Sequence, residues 1–159
     1  MMKGDPRVIE KLNYLLEGEL TAINQYMLHS EMCEDWGYEK LHRSFKDRAV
    51  TEMHHAEHLM ERILFLEGQP VVSNLSKMNI GKAAQDQIDN DHDMEIQTVK
   101  DYNEAIALCA ECLDYGTRNL LTEILKDEES HVDELEDQQD QIEQMGIQIF
   151  LSTQKPEAK

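Results

Sequence analysis

Three features of the 159-residue sequence predict an all-α fold, a four-helix bundle with one long crossover and a short C-terminal helix. Its three prolines and seven glycines cluster at a few breaks, leaving long stretches rich in the good helix formers Glu, Leu, Ala, Gln and Lys. Along those stretches apolar residues recur at three- and four-residue spacing, the period of a helix with one buried face. One of the breaks is also far longer than a hairpin between neighbouring helices needs.

Asp5-Pro6 reads as an N-cap followed by proline at the first helical position. The first pattern runs from there to Trp36-Gly37, where glycine suits a C-terminal stop. After a short turn a second pattern carries Leu41, Phe45, Leu59, Ile63 and Leu66, and it stops at Glu67-Gly68-Gln69-Pro70. Residues 68–81, GQPVVSNLSKMNIG, suit a connection that crosses from one end of the bundle to the other. A third pattern runs from about Lys82 to Asp114, a break is expected at Tyr115-Gly116-Thr117, and a fourth pattern continues to about Met145-Gly146. Ile147 to Leu151 is apolar enough for one or two further turns. Four rods of about 40 to 50 Å joined by short, long and short connections make one bundle, so residues 1–159 are expected to form a single domain.

Composition removes several classes of function. Acidic residues outnumber basic ones 33 to 15, for a formal net charge of -18 and an isoelectric point near 4.6. Such a surface repels nucleic-acid phosphates and anionic membranes, so neither partner is expected. Mean hydropathy is -0.62, and no stretch approaches the roughly 18 apolar residues of a membrane helix. The start, MMKGDPRVIEKL, has no apolar core of a secretory signal. Cys33, Cys109 and Cys112 are odd in number and too few for a disulfide framework, so a cytoplasmic location is expected.

The apolar stripes are interrupted four times by carboxylates. Leu12, Leu16, Ile23 and Tyr26 enclose Glu19; Leu41, Phe45, Arg48, Leu59 and Ile63 enclose Glu52 and His55. Ile88, Asp91, Val99 and Tyr102 enclose Glu95; Leu121, Ile124, Leu135 and Ile142 enclose Glu128 and His131. A single Glu or His on a stripe is usually helix-edge surface. Four carboxylates directed into one core would repel and cost several kcal/mol each. Glu-x-x-His occurs twice, and residues at i and i+3 share a face. One Glu on each of two helices and Glu-x-x-His on the other two is the pattern of dimetal carboxylate bundles. Four carboxylates neutralise two divalent cations, and the imidazoles complete coordination without adding charge. A mixed oxygen and nitrogen set favours iron or manganese, and the lack of thiolate argues against structural zinc.

Over nearly its whole length, from Lys3 to about Leu151, the chain resembles the bacterioferritin family. The segments that carry the resemblance are Lys3-Gly4-Asp5, NQYMLHS at 24–30, Asp35-Trp36-Gly37, Glu52-Met53 with His55-Ala56, ERILFLEG at 61–68, MNIG at 78–81 and DEESHVD at 127–133. The resemblance implies a ferritin-like fold and a homo-oligomeric shell of twenty-four subunits built from dimers. It also implies a ferroxidase that oxidises Fe(II) with oxygen or peroxide, and an interior that stores ferric mineral. The family's ligands for two iron ions per subunit fall on Glu19, Glu52, His55, Glu95, Glu128 and His131, with Glu52 and Glu128 bridging. The same resemblance implies haem b between two subunits with Met53 as axial ligand, aiding iron release, and a ferredoxin as reductant. There are departures. Asp47 and Thr51 stand where some members line the inner surface with His and Asp, and Ile149 and Ser152 stand where Asn and Gln often flank a channel.

Two other motifs carry less. His54-His55-Ala56-Glu57-His58 matches the H-x-x-E-H of inverted zinc peptidases, but the stripe directs His55 inward and leaves His54 and His58 flanking it. Cys109-Ala110-Glu111-Cys112 lies in a helical pattern without the strand and turn of a redox motif. The rivals to an iron-storage ferroxidase are a small dimetal oxidase or peroxide scavenger without storage, and a non-catalytic haem-binding or structural subunit. The intact set of six ligands weighs against the last.

Overall fold

The computed structural model describes residues 2–157; positions 1, 158 and 159 of the expected single-domain span lie outside the described residues. Five helices follow in order: α1 Pro6–Asp35, α2 Glu39–Phe65, α3 Ala84–Glu111, α4 Tyr115–Met145 and the short α5 Ile147–Ser152. α1 packs mainly on α2 and α3 mainly on α4, with α1 also against α3. No described helix is long and apolar enough to cross a membrane.

The helix ends have local causes. The Asp5 carboxylate accepts from the Arg7 backbone N–H at 2.8 Å, and Pro6 opens α1. Gly37 turns the chain between α1 and α2 with φ of 83°. The start of α4 differs from expectation: the break falls at residues 112–114, and Tyr115 to Thr117 already belong to the helix. Asp114 is the cap, accepting from the Thr117 N–H at 2.9 Å and the Thr117 hydroxyl at 2.7 Å, while Leu113 takes φ of 58°. Gly116 serves close packing instead, since a Cβ there would meet the Arg62 guanidinium at 2.7 Å. α3 starts two residues later than expected, at Ala84.

Two apolar clusters fill the bundle, and their order along each helix defines the topology. The first holds Leu12, Leu16, Leu59, Ile63, Leu121 and Ile124; the second holds Tyr26, Phe45, Ile88, Leu135, Ile142 and Phe150. α1 and α4 run from the first cluster to the second, whereas α2 and α3 run from the second to the first. The two successive helices α2 and α3 are therefore parallel, and the chain between them must return along the length of the bundle. It does so beside α1, held by a polar ladder at four-residue spacing. Asn13 Oδ1 accepts from Val71 N–H at 2.9 Å, Glu17 from the Ser76 hydroxyl at 2.9 Å, and Thr21 Oγ1 from Ser76 N–H at 2.9 Å. Gln25 Oε1 accepts from Asn79 N–H at 3.1 Å and His29 Nε2 from Gly81 N–H at 3.0 Å. An irregular segment needs such partners, because its backbone groups have no helix or sheet to satisfy them.

Candidate metal centre

Between the two apolar clusters lies a polar layer to which every long helix contributes. α1 supplies Glu19, α2 Glu52 and His55, α3 Glu95, and α4 Glu128 and His131; none is more than 6 % exposed. Within each Glu-x-x-His pair the side chains rise from the same helix face one turn apart, so both lean over one point. The six form two clusters with two shared members. Donor atoms of Glu19, Glu52, His55 and Glu128 lie within 4.8 Å of one another, and so do those of Glu52, Glu95, Glu128 and His131.

The spacing suits cations. His55 Nδ1 is 2.9 Å from Glu128 Oε1, 3.5 Å from Glu19 Oε2 and 3.6 Å from Glu52 Oε2. His131 Nδ1 is 3.0 Å from Glu52 Oε1 and 3.5 Å from both Glu95 Oε1 and Glu128 Oε2. An ion with bonds of about 2.1 Å holds neighbouring donor atoms about 3.0 to 3.4 Å apart. Glu19 Oε2, Glu52 Oε1, Glu95 Oε2, Glu128 Oε2 and His131 Nδ1 are buried and make no hydrogen bond. Five orphaned atoms in one layer, four of them carboxylate oxygens, are what a pair of cations would satisfy.

Electrostatics give the same answer. Burial, then repulsion from the neighbouring carboxylates, pushes Glu52 and Glu128 well above the ordinary carboxylate range. Burial also raises Glu19 and Glu95, but the close contacts with Glu52 and Glu128, the adjacent imidazoles and the Tyr102 and Tyr26 hydroxyls outweigh it and hold both below the usual value. Burial lowers the imidazoles, yet their carboxylate partners win, pushing His55 up and His131 up to about 9. Protons and cations thus compete for this layer: burial favours protons on Glu52 and Glu128, and the four carboxylates match the charge of two divalent cations.

Around the six stand residues that aim them. Tyr102 donates to Glu19 Oε1 and Tyr26 to Glu95 Oε1, each at 2.6 Å. Asp127 lies 2.8 Å from His55 Nε2, which places a proton on that nitrogen and turns Nδ1 toward the carboxylates. Arg48, buried beside the layer, stacks its guanidinium over Phe45 and Tyr26 at 5.5 and 5.8 Å. The layer is approached from two sides. Glu19 and Tyr102 line a cavity of about 350 Å³ beside α1, α3 and the crossover. His131 lines another of about 320 Å³ with Asp47, Thr51, Asp127 and Glu134.

The comparisons with known proteins agree with this architecture. A family model described as a ferritin-like domain matches residues 9–145. The chain is 42 % identical over 154 residues to the bacterial ferritin of Synechocystis, covering 96 % of this chain and 99 % of that protein. It is 40 % identical over 149 residues to the bacterioferritin of Brucella melitensis, covering 94 % and 92 %. The chain belongs to the bacterioferritin family. The bacterioferritin of Rhodobacter capsulatus is 41 % identical over 149 residues, covering 94 % of this chain and 92 % of its own length.

Met53 does not join the six. It is 44 % exposed on the outward side of α2, near Val50, which is also exposed. His54 and His58 face solvent and pair within α2 with Glu57 and Glu61. Cys109 is buried and its thiol is pushed up to about 11, first by burial, so it is not a reactive thiolate at neutral pH. Sequence reasoning missed the roles of Tyr26 and Tyr102, taken there as apolar stripe residues. The available signal was the hydroxyl itself, which needs a partner wherever a tyrosine is fully buried. Asp91 was on the stripe without a role, and His29 was not singled out. The two are buried together, with His29 Nδ1 3.0 Å from Asp91 Oδ1 and Gln25 Nε2 donating to Asp91 at 2.7 Å.

Proposed function

We propose that this chain is an iron-storage ferroxidase. Two Fe(II) ions are its substrates, held by Glu19, Glu52, His55, Glu95, Glu128 and His131, with Glu52 and Glu128 shared between them. The observation that carries this reading is the pair of four-residue clusters with those two members in common. Iron bound there supplies one electron per ion to oxygen or peroxide. The chain's own residues contribute a neutral, preorganised site: four carboxylates to match two divalent charges, and Asp127 and the two tyrosines to hold the donors in place. Cation binding displaces protons from the buried carboxylates, and the carboxylates on the walls of the adjoining cavities are suited to attract cations.

The relatives named bacterioferritin support the wider reading. On it, the whole chain folds as one ferritin-like domain, and dimers assemble into a cytoplasmic shell of twenty-four subunits that retains Fe(III) mineral. The exposed Met53 and a partner's equivalent ligate haem b, and a ferredoxin supplies electrons for iron release. The test is to add two Fe(II) per chain to iron-free protein in air and follow the near-ultraviolet rise beside Glu128→Ala. A rise at least about 100-fold slower in the variant is expected, given that even supporting residues of metal sites matter 10- to 100-fold. Equal rates in the two proteins overturn the ferroxidase assignment. Elution of the oxidised iron apart from the protein on a sizing column overturns storage.

A further inference from the structure

Outside the six-residue centre, the described residues bring three metal-ligating side chains together at one other place. Glu31 and Glu34 lie near the end of α1 and His42 in the first turn of α2, with their donor atoms within 4.8 Å of one another. Ser30 decides which nitrogen of His42 faces them. Its hydroxyl donates to the His42 carbonyl at 3.0 Å, so its oxygen accepts from His42 Nδ1, 2.9 Å away. The Ser30 carbonyl, 3.0 Å from the same nitrogen, can only accept. Nδ1 therefore carries a proton, and in the neutral ring Nε2 is a bare lone pair. It faces Glu34 Oε2 at 3.6 Å, with Glu31 beside it. The lone pair and the two carboxylates thus converge as donors on one point at the surface.

Among the described residues no Lys or Arg pairs with Glu31 or Glu34. The last turn of α1 has no basic residue, so Glu31, Glu34 and Asp35 add to the negative end of the helix dipole. Arg43 is paired with Glu39, and Lys40 reaches Glu157 at 3.8 Å. The 3.6 Å gap is close to the roughly 3.4 Å edge of a tetrahedral ion with bonds of about 2.1 Å. An imidazole whose distal N–H is fixed by a carbonyl is the usual support of a metal-binding histidine.

We propose that His42, Glu34 and Glu31 form a second, surface metal site that takes one divalent first-row transition cation per chain. His42 Nε2 and the two carboxylates are the ligands and water completes the shell. The assignment is independent of the ferroxidase reading, since it shares no residue with the internal centre. Zinc is the probe: the full-length protein, stripped with chelator, is dialysed against Zn2+, and bound metal is counted for the parent, His42→Ala, His42→Asn and Glu34→Gln. Both His42 variants should bind one equivalent fewer than the parent at unchanged helix content, and Glu34→Gln should weaken that equivalent at least about tenfold. Glu128→Ala, which disrupts only the internal centre, should retain it. If both His42 variants bind as much zinc as the parent, the site does not exist and His42 serves only as an ion-pair partner of Glu34.

Discussion

Two polar groups of residues are buried in this bundle less than two turns apart on α3, and they behave in opposite ways. Around Asp91, each buried group has a partner: His29 on one side, Gln25 on the other, and the His29 ring closed off by the Gly81 N–H. Around Glu95, buried carboxylate oxygens and an imidazole nitrogen are left without hydrogen bonds. Buried charge is common to both, so burial alone does not distinguish a site from a clamp. Unsatisfied valence does. The first group ties the crossover to α1 and α3, and the second leaves donor atoms converging on two points.

That contrast can be broken from either side. His29→Ala leaves Asp91 short of its main partner and frees the crossover at Gly81, and breaking a buried pair costs about 3–5 kcal/mol. Chemical denaturation should report a loss of that size, while the folded variant still takes up metal at the internal centre. A variant that loses metal uptake before stability would make the clamp part of the site. Tyr102→Phe removes the donor that orients Glu19 and should weaken metal binding about tenfold, the lower end for a supporting residue; unchanged affinity in a metal titration would assign the hydroxyl to packing alone.

Smaller effects test the electrostatics. Because repulsion and burial already force Glu52 to hold its proton, Glu52→Gln should raise the melting temperature of the metal-free protein by a few degrees. About 1 kcal/mol corresponds to roughly 2–4 °C at this size. Asp91→Asn should lower it, because His29 and Gln25 both donate to that carboxylate and an amide cannot accept from both on its two atoms. Calorimetry of the two variants separates a carboxylate cluster with unpartnered oxygens from a hydrogen-bonded one. The last prediction concerns pH. His131 is raised from its ordinary 6.5 to about 9 in the fold, so the folded state binds this proton more tightly than the unfolded chain. Its contribution is complete below about pH 6.5 and is lost as pH climbs through about 9. The metal-free protein should therefore lose stability over that window, and metal-loaded protein, whose imidazole carries no extra proton, should not show that slope. A flat metal-free profile would mean that His131 is not held by Glu128 and Glu95.

Much of this was legible in the sequence because it is written in periodicity. The four helices, the crossover and the placing of Glu19, Glu52, His55, Glu95, Glu128 and His131 on inner faces all follow from three- and four-residue spacing. What spacing cannot express was misread or missed. Gly116 read as a stop, yet it lies within α4 to admit Arg62, while Leu113 takes the left-handed turn. The ladder Asn13, Glu17, Thr21, Gln25 and His29 has a clear four-residue period on α1, but the segment it holds has none. Ser30 and His42 likewise meet across a helix turn that no sequence pattern announces.

By itself the sequence determined which side chains must share a helix face, because the helical repeat fixes that locally. Only the tertiary structure decided which faces meet. Apolar clusters at both ends of the bundle set α1 parallel to α4 and α2 parallel to α3, which brings four separate carboxylates into one buried layer. Their shifted proton affinities and orphaned oxygens arise from that encounter, since none of the four would be strained on an isolated helix in water.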